Sequence, residues 1–236
     1  MKSGIIYFCD FNMDSALQWI CLQQLKEAFK GDVVSVSLNQ PLDFGKNFVL
    51  EGKRSYQMMV NQIVKALEWS TADYVYFCET DVLYTPEHFE FIPTEDDTFY
   101  YNLGNVRWEY PHDRVISYDG LTSLSQLCVN RKYALAHFRM RQDKMSDEPV
   151  EKGEPRFARV IGYEPGLKKK RNGALTEEKS GFWTSSSSNI DIRHGRTFSK
   201  TKTRLEDFKH KPTGFKEMKI DDINGWKLRE MFGIIE

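Results

Sequence analysis

The spacing of apolar residues changes several times along the chain. Ile5 to Cys9 is a short apolar run of strand length. From Ser15 to Phe29 the apolar positions Leu17, Ile20, Cys21, Leu25, Ala28 and Phe29 recur at helical spacing, with Asp14 placed to cap the start and Gly31 to stop the end. Val33 to Leu38 predicts a second strand, followed by a polar loop carrying Pro41 and Gly45. Ser55 to Trp69 predicts a second amphipathic helix with the stripe Met58, Met59, Ile63, Ala66 and Leu67. Tyr74 to Cys78, aromatic and β-branched, predicts a third strand. This β-α-β-α-β alternation, with strands apolar on both faces, predicts a parallel sheet covered by helices. The loops after Cys9, Leu38 and Cys78 then converge on one sheet edge, where ligands of such sheets bind.

The second half has a different rhythm. Thr98 to Leu103, Arg114 to Tyr118 and Ser125 to Val129 predict short strands, and Arg131 to Arg141 a helix. Gln142 to Glu154 is polar and loop-like, and Pro155 suits the first turn of a helix over Arg156 to Ile161. Lys168 to Ser188 reads as a mobile loop, Ile190 to Arg193 as a short strand, and Asp221 to Phe232 as a final helix. The expectation is an α/β protein of one domain, with a mixed sheet flanked by helices.

Composition narrows this picture. At 236 residues with 40% hydrophobic and 28% charged positions, the chain can bury a core and is not a disordered polymer. Its apolar runs fall short of a membrane span, and the N-terminal one is too short for a signal peptide, so a cytoplasmic protein is expected. The four cysteines lie far apart in apolar runs without zinc-type spacing, which predicts buried thiols. Net charge is −1, but Pro165 to Lys219 carries fourteen Lys and Arg against six Asp and Glu, which points to an anionic ligand or to a solvated basic surface.

Candidate chemistry concentrates in two stretches. "YVYFCETDVLY" ends its strand in two acids one residue apart, Glu79 and Asp81. Residues i and i+2 of an extended chain face one way, and two close carboxylates repel unless a cation sits between them. Hard cations such as Mg²⁺ or Mn²⁺ take one or two carboxylates and complete their shell with substrate phosphate. The alternative is a pair of solvated loop acids. In "SSNIDIRHGRTFSKTK", His194 stands at a strand end, followed by hydroxyls and by the cations Arg196, Lys200 and Lys202, a grouping suited to a diphosphate. Phosphate-loop and dinucleotide glycine signatures are absent, which disfavours kinases, P-loop NTPases and dinucleotide dehydrogenases.

The strand order, the helix leading into "ADYVYFCETDVLY" and the later "NIDIRHGRTFS" resemble the GT-A (Rossmann-like) nucleotide-sugar glycosyltransferases, especially the small single-domain type of bacteria and their phages. The resemblance covers roughly residues 3 to 210. It implies one domain over 1–236, with 1–103 binding the nucleotide sugar and 104–219 forming the acceptor half and C-terminal basic segment. It implies Mn²⁺ or Mg²⁺ held by Asp81 and His194, with Glu79 on the metal or the donor ribose; the family more often has Asp where this chain has Glu79. Gly104 in "YNLGN" becomes the glycine near the donor sugar, and Glu154 the catalytic base of an inverting reaction, with Asp147 and Glu148 as rivals. Asp10, Asn12, Lys53 and Arg54 are further donor-site candidates, and Arg196 and Lys200 would meet the diphosphate.

The function so implied is metal-dependent transfer from a nucleoside-diphosphate sugar, UDP by resemblance, to a hydroxyl of a saccharide or lipid-linked acceptor. Two alternatives stand beside it. One is a DNA glycosyltransferase acting on a hydroxymethylated base, with the basic C-terminal part on phosphate and Trp108, Tyr110 or Trp183 stacking on the base. The other is a non-enzymatic nucleotide-binding protein of the same fold.

Overall fold

The computed structural model describes residues 1–146, 164–167, 178–197 and 202–234. Its first elements follow the hydrophobic pattern closely: β1 (Ser3–Cys9), α1 (Ser15–Ala28), β2 (Asp32–Leu38), β3 (Lys46–Leu50), α2 (Tyr56–Trp69) and β4 (Tyr74–Cys78). The helix starts are set by side-chain caps. The Asp14 carboxylate accepts from the backbone N–H groups of Ala16 and Leu17, and the Ser55 hydroxyl from that of Met58. Then come β5 (Val82–Leu83), β6 (Thr98–Asn102), β7 (Asn105–Trp108), β8 (Val115–Ser117), β9 (Leu127–Asn130), α3 (Arg131–Ser146), β10 (Lys179–Trp183), β11 (Asn189–Ile192), β12 (Lys216–Met218) and α4 (Leu228–Phe232).

The strands form a seven-stranded sheet, β10-β6-β9-β4-β1-β2-β3, and a five-stranded sheet, β12-β8-β7-β11-β5. In the large sheet β1 pairs in parallel with both β2 and β4, while β9 runs antiparallel between β4 and β6. The chain winds outward from β1 through β2 to β3, then returns to the other side of β1 as β4. That reversal opens a crevice beyond the carboxyl ends of β1 and β4, the general ligand position in open α/β sheets.

Both faces of the large sheet are covered, which is why its central strands read as unbroken apolar runs. Ile6, Phe8, Val75, Phe77 and Val129 pack under α2 and α3, with Ile63, Leu67 and Phe138 facing them. Ile5, Tyr7, Tyr76 and Cys78 face α1 and Phe44 on the other side. The small sheet builds a third cluster from Val106, Trp108, Ile190 and Ile192, closed by Leu17 and Cys21 of α1 and by Leu228 of α4. The four cysteines are buried and unpaired, as expected.

Five expectations need correction. Helix α3 runs on to Ser146, through positions read as the start of a polar loop. The polar loop after β2 contains β3, an edge strand whose outer positions are polar or exposed. The segment after Leu103 contains β7, whose Asn105 and Arg107 masked an otherwise apolar strand. The end of the predicted mobile loop is β10, parallel to β6. Its Gly181 lies so close to the Tyr100 ring that a Cβ there would sit 2.6 Å from two ring atoms, so a loop-like residue serves close strand packing. The final helix is confined to Leu228–Phe232, with a single 3₁₀ turn at Ile220–Asp222 before it.

A buried polar knot ties the two sheets together. His88, 0% exposed, accepts at Nδ1 from the side-chain amides of Asn102 at the end of β6 (3.0 Å) and Asn189 at the start of β11 (2.9 Å). Asn189 Nδ2 also donates to Gln126 Oε1 at 2.7 Å, and its Oδ1 accepts from Thr85 N at 2.9 Å. Burial pulls the His88 imidazole down to about 3, so it is neutral in the folded protein. An unfolded histidine titrates near 6.5, so the unfolded chain takes up the proton first. The stability His88 confers is complete above pH ~6.5 and lost as pH falls toward 3, at about 1.4 kcal/mol per pH unit. Urea unfolding between pH 7 and pH 4 is expected to show this slope, and His88→Leu to lower stability at pH 7 while removing that part of the slope.

Candidate active site

The crevice at the β1–β4 reversal is a cavity of about 460 Å³. Its floor comes from strand ends. The turn after β1 supplies Asp10 and Asn12, the turn after β4 supplies Glu79, Thr80 and Asp81, and β11 with the turn after it supplies Asp191, Arg193 and His194. The first of these turns is bent sharply, with Phe11 at φ 52° and the Asn12 backbone N–H donating to Asp10 Oδ1 at 3.0 Å.

Asp81 and His194 meet across 113 positions of sequence. Asp81 Oδ2 lies 3.6 Å from His194 Nε2. The approach is made by strand pairing: β5 runs antiparallel to β11, and Ile192 N–H donates to the Asp81 carbonyl at 2.8 Å. This backbone bond fixes the acid relative to the histidine that follows β11.

Two arginines, Arg193 buried and Arg107 half-buried, govern the charge here. Asp191, 4% exposed, is held by Arg107 Nε at 3.3 Å and Arg193 Nη1 at 3.3 Å. Burial disfavours the Arg193 cation, but Asp191, Asp81 and Glu79 outweigh that and raise its affinity for the proton. Glu79 is pushed well above the usual carboxylate range, first by burial and then by Asp81 and Asp191, with Arg193 opposing. Part of the acid–acid repulsion that calls for a cation is therefore met by a guanidinium from the protein itself.

One side of the cavity is apolar and built by β1, β2 and α2, from Phe8, Leu38, Met58 and Met59. Gln62 of α2, 3% exposed, braces it by donating to the carbonyls of Cys9 in β1 (2.9 Å) and Val36 in β2 (3.0 Å). Arg54 Nε donates to Asp10 Oδ2 at 2.5 Å. Arg54 and Asn12 also donate to the Arg196 carbonyl, at 3.2 and 3.0 Å, so the turn after β11 is tied to the turn after β1. The opposite side is formed by Tyr118, Ser123, Lys202, Phe208 and Pro212.

Seven of the residues singled out from sequence line this one cavity: Asp10, Asn12, Arg54, Glu79, Asp81, His194 and Arg196. Lys53 and Gly104 do not. Lys53 is exposed, and Gly104 sits against the loop after β10, where a Cβ would meet Ser185 Oγ at 2.7 Å. Glu154, its rivals Asp147 and Glu148, Lys200 and the helix expected over 156–161 lie outside the described residues. Trp108, Tyr110 and Trp183 line no part of the cavity. Trp108 is fully buried, Tyr110 packs on it and on Phe232, and Trp183 stacks on Phe91 with ring centroids 4.3 Å apart.

Arg107, Asp191, Arg193, Glu164 and Tyr118 complete the lining and were not singled out as site residues. The alternation in "NIDIR" contained a signal for two of them: a charged pair inside a strand flanked by isoleucines is a costly placement unless the charges are used. Among the described residues no group of three or more His, Cys, Asp or Glu side chains is arranged to hold a metal alone. Asp81 and His194 suit a hard cation only as a partial ligand set, which ligand phosphate and water would have to complete.

No protein-family model matches the chain, and no curated protein matches it. Among solved structures, the chain is similar to the glycosyltransferase GlyE of Streptococcus pneumoniae TIGR4, with a TM-score of 0.42 and 10% identity, covering 78% of this chain and 45% of that one. The apo form of the same enzyme gives 0.40 and 12%, covering 65% and 41%. HddC from Yersinia pseudotuberculosis gives 0.43 and 9%, covering 81% and 93%. The chain spans less than half the length of the two GlyE chains.

Removing the buried acid that both arginines share is expected to be severe. Asp191→Asn leaves Arg107 and Arg193 short of their counter-charge and should cost about 3–5 kcal/mol in urea unfolding. Asp10→Asn, at the more open rim of the cavity, should cost about 1 kcal/mol or less.

Proposed function

We propose that the protein is a GT-A-type glycosyltransferase that moves a sugar from a nucleoside-diphosphate donor to an acceptor hydroxyl. The observation that carries this reading is the meeting of Asp81 and His194, 3.6 Å apart, at the carboxyl edge between β1 and β4, inside a cavity that also holds arginines. An acid and an imidazole at a sheet switch point, beside cations and an apolar slot, suit a nucleotide whose diphosphate crosses the edge.

In this reading the nucleoside lies on the side of Phe8, Leu38, Met58 and Met59, with Asp10 and Arg54 at its rim. We assign the donor as a UDP-sugar and the cation as Mn²⁺ or Mg²⁺, with Asp81 and His194 as its protein ligands. Such an ion, when bound, withdraws charge from the departing diphosphate. The chain adds fixed positive charge of its own. Arg193 is locked by Asp191, and Arg196 stands on a turn tied down by Asn12 and Arg54, so both can meet developing negative charge without reorganising. Glu79, beside Asp81 on the same turn, is placed to meet the donor ribose or the cation. Glu154 is carried forward as the base for the acceptor hydroxyl, with Glu164 as a second candidate because it lines the cavity.

The acceptor is assigned as a saccharide, free or lipid-linked, rather than a DNA base. The three aromatic residues suited to stacking a flipped base are engaged in packing elsewhere. The four buried free thiols fit a reducing compartment, which supports a cytoplasmic site of action. No helix among the described residues is long and apolar enough to cross a membrane.

The test is release of nucleoside diphosphate from a panel of nucleotide sugars, with and without Mn²⁺. Turnover is expected with at least one UDP-sugar. Asp81→Asn and His194→Ala should each lower it about 100-fold or more while leaving the thermal unfolding midpoint within a few degrees. Full metal-stimulated activity in Asp81→Asn would overturn the assignment.

A further inference from the structure

The cavity has two unlike ends, and the second has features that donor binding does not require. We propose that the wall formed by Tyr118, Phe208 and Lys202 is an acceptor subsite for an anionic sugar, one bearing a carboxylate or a phosphate. The inference rests on the donor occupying the β1–α2 end, as proposed above.

Tyr118 and Phe208 meet edge to face, with ring centroids 5.3 Å apart and planes at 77°. Two aromatic rings set this way form an angled apolar corner, against which the C–H face of a pyranose can pack. Both rings are held in place. The Tyr118 hydroxyl accepts from Arg107 Nη1 at 2.8 Å, and Arg107 is anchored in turn on Asp191. Phe208 follows a 3₁₀ turn capped by Asp207, whose carboxylate accepts from the N–H groups of Thr203 (3.0 Å) and Arg204 (2.9 Å). A prearranged corner of this kind lowers the ordering cost of binding.

The charge requirement comes from Lys202. Its Nζ stands over the Phe208 ring, 5.3 Å from the centroid, and no carboxylate partners it among the described residues. Lys209 and Lys211, exposed just beyond Phe208, also have no acidic partner among the described residues. A ring packed on the aromatic corner would place an exocyclic carboxylate or phosphate toward Lys202, with the other two lysines drawing the anion in from solvent. A nucleic acid would need a continuous cationic track for its phosphates, and Glu206 and Asp207 interrupt this one. Asp81 and His194 line the same cavity as this wall and as Phe8 and Met58, so a ring bound on the corner would share that cavity with the donor sugar.

The test uses the full chain and three probes, methyl glucoside, glucuronic acid and glucose 6-phosphate, titrated by NMR with and without UDP and Mn²⁺. At least one anionic probe is expected to bind about tenfold more tightly than methyl glucoside. Lys202→Gln should erase that preference and Lys202→Arg keep it, while Phe208→Ala weakens all three probes. Equal binding of charged and neutral probes by the native chain would overturn the proposal. So would Lys202→Gln or Phe208→Ala proteins that are folded by circular dichroism and bind as the native chain does. Tighter, steeply salt-dependent binding of a 12-base-pair duplex that Lys202→Gln abolishes would overturn it in favour of nucleic acid. Loss of UDP binding with the probe preference intact would overturn the donor assignment alone, whereas UDP binding without probe preference would overturn only the subsite.

Discussion

Three carboxylates share one edge where the two sheets meet, and the site is organised by the need to hold them there. Glu79 and Asp81 leave the end of β4, and Asp191 rises from β11 beside them. Arg107 and Arg193 offset their mutual repulsion, burial and the neighbouring acids push Glu79 well above the usual carboxylate range, and the His194 imidazole stands 3.6 Å from Asp81. These groups come from three stretches, the turn after β4, strand β7, and β11 with the turn after it, so the edge exists only once the second sheet is docked on the first. The His88 knot at the ends of β6 and β11 makes that docking a matter of hydrogen bonding as well as apolar burial.

The order of strands places this edge. Because the chain leaves β1 in one direction and returns as β4 on the other side, a crevice opens beyond the carboxyl ends of these two strands. Helix α2 lines the opening, and Gln62 binds the carbonyls of Cys9 in β1 and Val36 in β2 together beneath it. The result is a cavity with an apolar end, a charged floor and an aromatic end, each built by separate elements. A nucleotide sugar and its acceptor make the same three demands in the same order.

Much of the first half was legible in the sequence, because there the hydrophobic period follows secondary structure directly. Strand β4 was found at its observed bounds, Asp14 marked the start of α1, and α2 was placed to within one residue, its Ser55 serving as the cap. The second half was less legible because its strands are short, lie at edges or carry polar residues. β3, β7 and β10 all read as loop, β10 because a basic cluster precedes it and a run of Thr and Ser follows it, while its Gly181 serves contact with Tyr100. The pairing of Asp81 with His194 was implied by the family resemblance, and the two side chains do meet, 3.6 Å apart. The arginines were not implied, since a cation that neutralises an acid across strands leaves no spacing in one dimension. Arg107 and Asp191 are opposite each other only through the register of β7 and β11. Trp108 was misplaced for the same reason: its neighbours Arg107 and Glu109 suggest exposure, while the small sheet turns it inward.

The central claim is that a nucleoside diphosphate lies across this edge against Asp81 and His194. A crystal structure with UDP and Mn²⁺, read by anomalous scattering at the manganese edge, tests it most directly. The account expects a manganese peak in contact with both residues, phosphate density beyond it toward Arg196, and the uridine between Phe8 and Met58. Manganese bound elsewhere, or a nucleotide seated on the Tyr118–Phe208 wall, would contradict it.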